Sequence, residues 1–135
     1  MKYDQELIGF INFFENLTHA RVKDAFVDKD ERVVFVVNEG EMGKAIGKKG
    51  SNIKKASVLL KKKIRIIEFS NDAVKFVKNA IYPIIAESVN KEGEEIIIKD
   101  KETSKKALLI GRDQRNLKAL QELVGKYFKE SVKVV

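Results

Sequence analysis

Residues 45–53 read Ala45-Ile46-Gly47-Lys48-Lys49-Gly50-Ser51-Asn52-Ile53, a pair of lysines bracketed by two glycines. Glycines at both ends of a four-residue loop let the backbone come close to a partner. The residues on either side predict a short helical turn over Glu41–Ile46 and a helix from Ser51 to about Lys62. That second helix starts at the loop, so its free N–H groups and the positive end of its dipole point outward there. Lys48 and Lys49 add two mobile cations at the tip. Together these features describe a site for a sugar-phosphate backbone. Ile46 and Ile53 are expected to anchor the flanking helices in the core, so that the loop stands in one place.

The charge around the loop points the same way. The chain carries a net charge of +7, which suggests an anionic partner. From Met42 to Ile67 there are nine basic residues (Lys44, Lys48, Lys49, Lys54, Lys55, Lys61, Lys62, Lys63, Arg65) and no acidic one. The other 18 basic residues are outnumbered by the 20 acidic ones, so the whole positive excess sits in one segment. A device for solubility would be spread out. On the helix after the loop, Ile53, Ala56, Ser57 and Leu60 form the apolar side. Lys54 with Lys61, and Lys55 with Lys62, fall seven residues apart on its other sides, as basic stripes.

Outward from this segment, Leu7, Phe10, Ile11, Phe14 and Leu17 predict an amphipathic helix over Tyr3–His19. Val22–Asp28 and Arg32–Asn38 read as strands around the polar turn Asp28-Lys29-Asp30-Glu31. Val33-Val34-Phe35-Val36-Val37 has the continuous apolar character of a strand buried on both faces. Ile64–Phe69 is a third strand. The same order then recurs. Asn71 is expected to cap a helix that Pro83 ends near Tyr82. Ile84–Asn90 and Glu95–Lys99 follow as strands around Lys91-Glu92-Gly93-Glu94, then a short helix over Thr103–Ile110. The segment Gly111-Arg112-Asp113-Gln114, a helix over Arg115–Phe128 and a closing strand over Val132–Val135 complete the chain. Aligning Ile46-Gly47 with Ile110-Gly111 gives a repeat of 64 residues, close to half the chain. The boundary falls near Ser70-Asn71, with no flexible linker.

The loop Ile46-Gly47-Lys48-Lys49-Gly50-Ser51-Asn52-Ile53 resembles the signature loop of K-homology (KH) domains, and the helix–strand–strand prefix is similar to their type II arrangement. Two such domains without a linker resemble the tandem KH portion of NusA-type transcription termination and antitermination factors. The absence of anything preceding them looks like the short archaeal form, which lacks the polymerase-binding and S1 domains of the bacterial factor. The fold this implies is α+β: two tandem type II KH domains, residues 1–70 and 71–135. In each, a three-stranded sheet packs on helices.

The resemblance further implies a groove in each domain holding about four single-stranded nucleotides, the loop gripping their backbone. By position, Gly47, Lys48, Lys49 and Gly50 take the backbone role, flanked by Lys44, Ser51, Asn52, Lys54 and Lys55. In the second domain the corresponding positions are Gly111, Arg112, Gln114, Arg115 and Lys118. There Gln114 replaces the last glycine and Asp113 sets a carboxylate beside the phosphate path, which Arg112, Arg115 and Lys118 offset in part. A weaker or differently aimed second site is expected. The family function implied is RNA-dependent modulation of transcription pausing, termination or antitermination, with RNA polymerase or another transcription factor as protein partner. A structural ribonucleoprotein of the small ribosomal subunit, or a ribosome-assembly factor, is the alternative, since type II KH domains occur there too. A ribosomal protein would usually carry basic tails, and none is visible.

Other classes are set aside. There is no Cys, which removes disulfides, thiolate metal sites and Cys nucleophiles together. A phosphate-binding loop of the nucleotide-hydrolase type needs four residues between its glycines and then Gly-Lys-Ser/Thr. Gly43 to Gly47 leaves three, and Lys48 is followed by Lys49. His19 is the single histidine and lies at the end of the first helix, where it reads as a cap or surface residue. No nucleophile–base constellation is present, so the chain is expected not to be an enzyme and to need no cofactor or metal. Asp4, Glu6 and Glu15 interrupt the N-terminal apolar run, so no signal peptide is read there. No stretch reaches the length of a membrane span. A cytoplasmic monomer is expected.

Overall fold

Val33–Val37 forms the central strand of a three-stranded sheet, and all five of its residues are buried. The computed structural model describes residues 5–135; Tyr3 and Asp4, at the predicted start of the first helix, lie outside them. Two compact units divide the chain, one ending at Phe69 and the other running Ser70–Val135.

The first unit runs α1 (Gln5–Thr18), β1 (Val22–Val27), β2 (Val33–Val37), α2 (Met42–Ile46), a 3-10 turn at Lys48–Gly50, α3 (Ser51–Leu60) and β3 (Ile64–Glu68). Helix α1 stops because His19 turns left-handed (φ 63) while the Thr18 hydroxyl donates to the Phe14 carbonyl at 2.8 Å. The sheet is mixed: β1 pairs antiparallel with β2, and β2 pairs parallel with β3. A parallel pair cannot be closed by a hairpin and needs a crossover of a dozen or more residues. Here the crossover is α2, the loop and α3, so the pairing of β2 with β3 sets where the loop sits. Alternation along β2 sends Val33, Phe35 and Val37 into a core with Leu7 and Phe14 of α1, Ala45 of α2 and Ala56 of α3. The Phe14 and Phe35 rings stack with centroids 4.3 Å apart. Ile46 and Ile53 pack against this core from either side of the loop.

The second unit repeats the order: α4 (Ala73–Ile81), β4 (Ser88–Glu92), β5 (Glu95–Lys99), α5 (Thr103–Ile110), a 3-10 turn at Arg112–Gln114, α6 (Arg115–Gly125) and β6 (Ser131–Val134). Again β4–β5 is antiparallel and β5–β6 parallel. Strand β5 buries Ile96 and Ile98 but not its other face, unlike β2. No helix among the described residues is long and apolar enough to cross a membrane.

Several boundaries differ from expectation. The cap of α4 is Asp72, not Asn71: its carboxylate accepts from the N–H groups of Val74 and Lys75. The predicted strand over Ile84–Asn90 is instead Ser88–Glu92. Gly93-Glu94 makes a two-residue hairpin in which Glu92 opposes Glu95 and Ser88 opposes Lys99, so β5 has no partner left for residues 84–87. Side chains hold that segment instead: Lys105 donates to the Ile85 carbonyl and the Glu87 N–H donates to Asp100, both at 2.9 Å. Helix α6 ends at Gly125, and Tyr127 and Phe128 turn onto Phe76, with centroids 5.6 and 5.7 Å away. Helix α3 ends at Leu60 because Lys61 is left-handed (φ 55, ψ 40). Lys61 and Lys62 therefore lie past the helix, and the predicted basic stripes are cut short.

Candidate nucleic-acid interface

Three residues of the loop have positive φ. Gly47 (φ 75, ψ 172) lies in a region that only glycine occupies freely, and Lys49 (φ 56) and Gly50 (φ 75) are left-handed. The Gly47 N–H closes α2 on the Gly43 carbonyl at 2.9 Å, and the Gly50 N–H returns to the Gly47 carbonyl at 3.1 Å. The Ser51 N–H bonds the Lys48 carbonyl. That leaves the backbone N–H groups of Lys48 and Lys49 without a hydrogen bond among the described residues. Successive free N–H groups in such a turn form a concavity that takes an anion, and the start of α3 adds its dipole.

Of the nine basic residues in the acid-free segment, two are otherwise engaged. Lys44, on α2, pairs with Glu41 at 3.3 Å. The Arg21 N–H at 2.8 Å, with Lys44 adding, holds the Glu41 carboxyl below the usual glutamate range. Arg65 is half-buried in β3, and burial lowers its pKa, with Arg32 adding and Asp28 opposing. Lys48, Lys49, Lys54, Lys55, Lys61, Lys62 and Lys63 are exposed and make no ion pair among the described residues. Lys48 and Lys49 stand on the loop itself, and Lys54 and Lys55 on the first turns of α3.

Ser51 opens α3 and is exposed. Asn52 does not point its amide outward: its Nδ2 donates to the Lys44 carbonyl at 2.7 Å. That donor therefore serves the backbone before the loop. The sequence reading missed the counterpart, Asn116, whose Nδ2 donates to the Leu108 carbonyl at 2.7 Å. The signal was available, because Asn116 lies one repeat length after Asn52. It missed Glu41 as well, which stands three residues before Lys44 and one before the acid-free segment.

The second loop reproduces the first. Gly111 (φ 75, ψ 170), Asp113 (φ 54, ψ 29) and Gln114 (φ 64, ψ 20) follow the dihedrals of Gly47, Lys49 and Gly50. Its Gly111 and Gln114 N–H groups bond the Ala107 and Gly111 carbonyls. Arg112, Asp113, Gln114, Arg115 and Lys118 are all exposed. Where the first unit presents Lys44 at the end of its α2, the second presents Leu108, 60% exposed.

A family profile described as KH domain matches residues 11–85. A protein named probable transcription termination protein NusA, from Methanococcus vannielii, is 44% identical over 100 residues, which cover 73% of this chain and 57% of that protein. The chain thus matches little more than half the length of that relative. A protein of the same name from Methanocaldococcus jannaschii is 34% identical, over 96% of this chain and 73% of its own. One from Halobacterium salinarum is 32% identical over 95% and 93%. A crystal structure of APE1850 matches 98% of this chain and 100% of its own with a TM-score of 0.73 and 30% identity.

Proposed function

The chain belongs to the KH-domain family, among the archaeal NusA-like proteins, and from that premise we propose that it binds single-stranded RNA and modulates transcription pausing, termination or antitermination. It does so as two tandem KH domains, residues 1–70 and 71–135, without catalysing a reaction. The observation that carries this reading is the first loop, at the start of a helix, where two backbone N–H groups and two exposed lysines make no hydrogen bond or ion pair among the described residues. Gly47, Lys48, Lys49 and Gly50 hold the RNA backbone, Ser51 offers a hydroxyl beside them, and Lys54 and Lys55 extend the cationic path along α3. Lys44, partly neutralised by Glu41, contributes at the edge. The second loop takes RNA more weakly, because Asp113 opposes what Arg112, Arg115 and Lys118 attract. The protein works in the cytoplasm, as a monomer, beside RNA polymerase or another transcription factor.

Exchanging both Lys48 and Lys49 for Asp tests the site. Binding to an unstructured RNA oligonucleotide is expected to vanish while the circular dichroism spectrum stays unchanged; undiminished affinity would remove the assignment. Fractionated cell extract tests the partner, with co-elution alongside polymerase expected and co-sedimentation with ribosomal subunits favouring the ribonucleoprotein alternative.

A further inference from the structure

The two loops share only their first residue, glycine, yet their backbones coincide to within about a dozen degrees at every dihedral given above. Gln114 and Asp113 stand left-handed in succession, a conformation neither residue favours. The shape is therefore imposed from outside the loop. What both loops have outside them is an asparagine two residues past the last loop position. Each donates its amide to a carbonyl eight residues earlier, at 2.7 Å in both units. Each amide also lies over the first glycine: a Cβ on Gly47 would stand 2.8 Å from Asn52 Cγ, and one on Gly111 2.7 Å from Asn116 Cγ.

We propose that Asn52 and Asn116 are positioning residues. Each ties the end of the helix before the loop to the start of the helix after it, and each roofs the first glycine. Gly47 and Gly111 are thereby confined to one of their many accessible conformations. The N–H groups at positions 48 and 49, and at 112 and 113, keep a fixed aim at a nucleotide backbone without either asparagine touching the RNA. The consequence for affinity rests on the RNA-binding reading; the confinement of the loop does not.

The test uses the full chain with Asn52→Ala, and with Asn52→Asp as a second variant that keeps the shape but lacks the donor. Hydrogen exchange is followed at the Gly47, Gly50 and Ser51 amides, whose bonds close the loop. Both variants are expected to speed exchange there by at least about tenfold, with protection in β2 unchanged. RNA affinity of Asn52→Ala is expected to fall about tenfold, the effect of freeing roughly one residue's backbone. The slope of log affinity against log salt should stay the same, because no phosphate contact is removed. Unchanged exchange overturns the proposal. So does a fall in affinity with unchanged exchange, which would make Asn52 a direct contact, and so does faster exchange with undiminished affinity. Asn116→Ala must speed exchange at Gly111 and Gln114 likewise. Failure of RNA binding in the unaltered protein would remove the functional reading and leave the exchange result standing.

Discussion

The two glycines of the first loop carry unequal burdens, and replacing each by Ala separates them. At Gly50 (φ 75, ψ 17) an added Cβ meets only Ile53 Cγ2 at 3.7 Å and Lys54 Cε at 3.9 Å, ordinary contacts. The left-handed conformation costs an alanine about 1–2 kcal/mol, offset by about 0.5 kcal/mol from the smaller entropy of the unfolded chain. Gly50→Ala should therefore destabilise by about 1 kcal/mol. At Gly47 the region itself costs of order 2 kcal/mol. The new Cβ would also stand 2.9 Å from the Asn52 backbone nitrogen as well as against its side chain. A backbone atom cannot swing away, so overpacking adds about 2 kcal/mol. With the same offset of about 0.5 kcal/mol from the unfolded chain, Gly47→Ala should thus cost about 3.5 kcal/mol, roughly 2.5 more than Gly50→Ala. For a unit of this size that is a difference of at least about 10 °C in Tm. Urea unfolding followed by circular dichroism measures it, as a shift in midpoint at constant slope. Equal losses from the two substitutions would refute the reasoning, because they would mean that the roof over Gly47 yields without cost.

Other measurements probe the charges. If about six phosphates are neutralised, log affinity should fall against log salt with a slope near −4, and a flat response would exclude the electrostatic grip. Asp113→Lys should tighten RNA binding severalfold if the second loop faces the strand; unchanged binding would make that loop a scaffold. The Lys91 ammonium, 2.8 Å away, holds Glu130 below the usual glutamate range. A lowered carboxyl pKa stabilises the fold above the unfolded-state value, and the gain is lost as pH falls through the folded one. Glu130→Gln should therefore weaken the second unit at neutral pH and flatten its loss of stability in acid, from the ordinary glutamate range downward. An unaltered acid limb in thermal melts would show that the pair contributes nothing.

The order of elements was legible because each obeys one periodicity and the chain states the order twice. The apolar run Val33–Val37 has no polar position, and in the fold it has no exposed one. The first loop was legible because two glycines and two lysines leave few other readings. What escaped was set by pairing at a distance. Ile84 and Ile85 are strand-forming residues, but the register of the Gly93-Glu94 hairpin leaves them unpaired, and Ile85 ends 71% exposed. Asn71 and Asp72 are equally good caps in isolation; the Ser70 hydroxyl, accepting from the Asp72 N–H at 3.1 Å, marks the second. Asn52 reads as a polar residue beside a binding loop, and only the approach of the Lys44 carbonyl shows which partner its amide takes. Arg65 is one of the nine basic residues of the acid-free segment, and nothing in the sequence signals that the sheet half-buries it.

The second loop keeps its form with two non-glycine residues in left-handed turns. A tip moulded by its flanks behaves as a socket, accepting foreign side chains at a modest, additive penalty. Transplanting Lys-Lys-Gly into positions 112–114 would then give the second loop the tip charges of the first while its backbone kept its course. The two halves are one chassis carrying different bits.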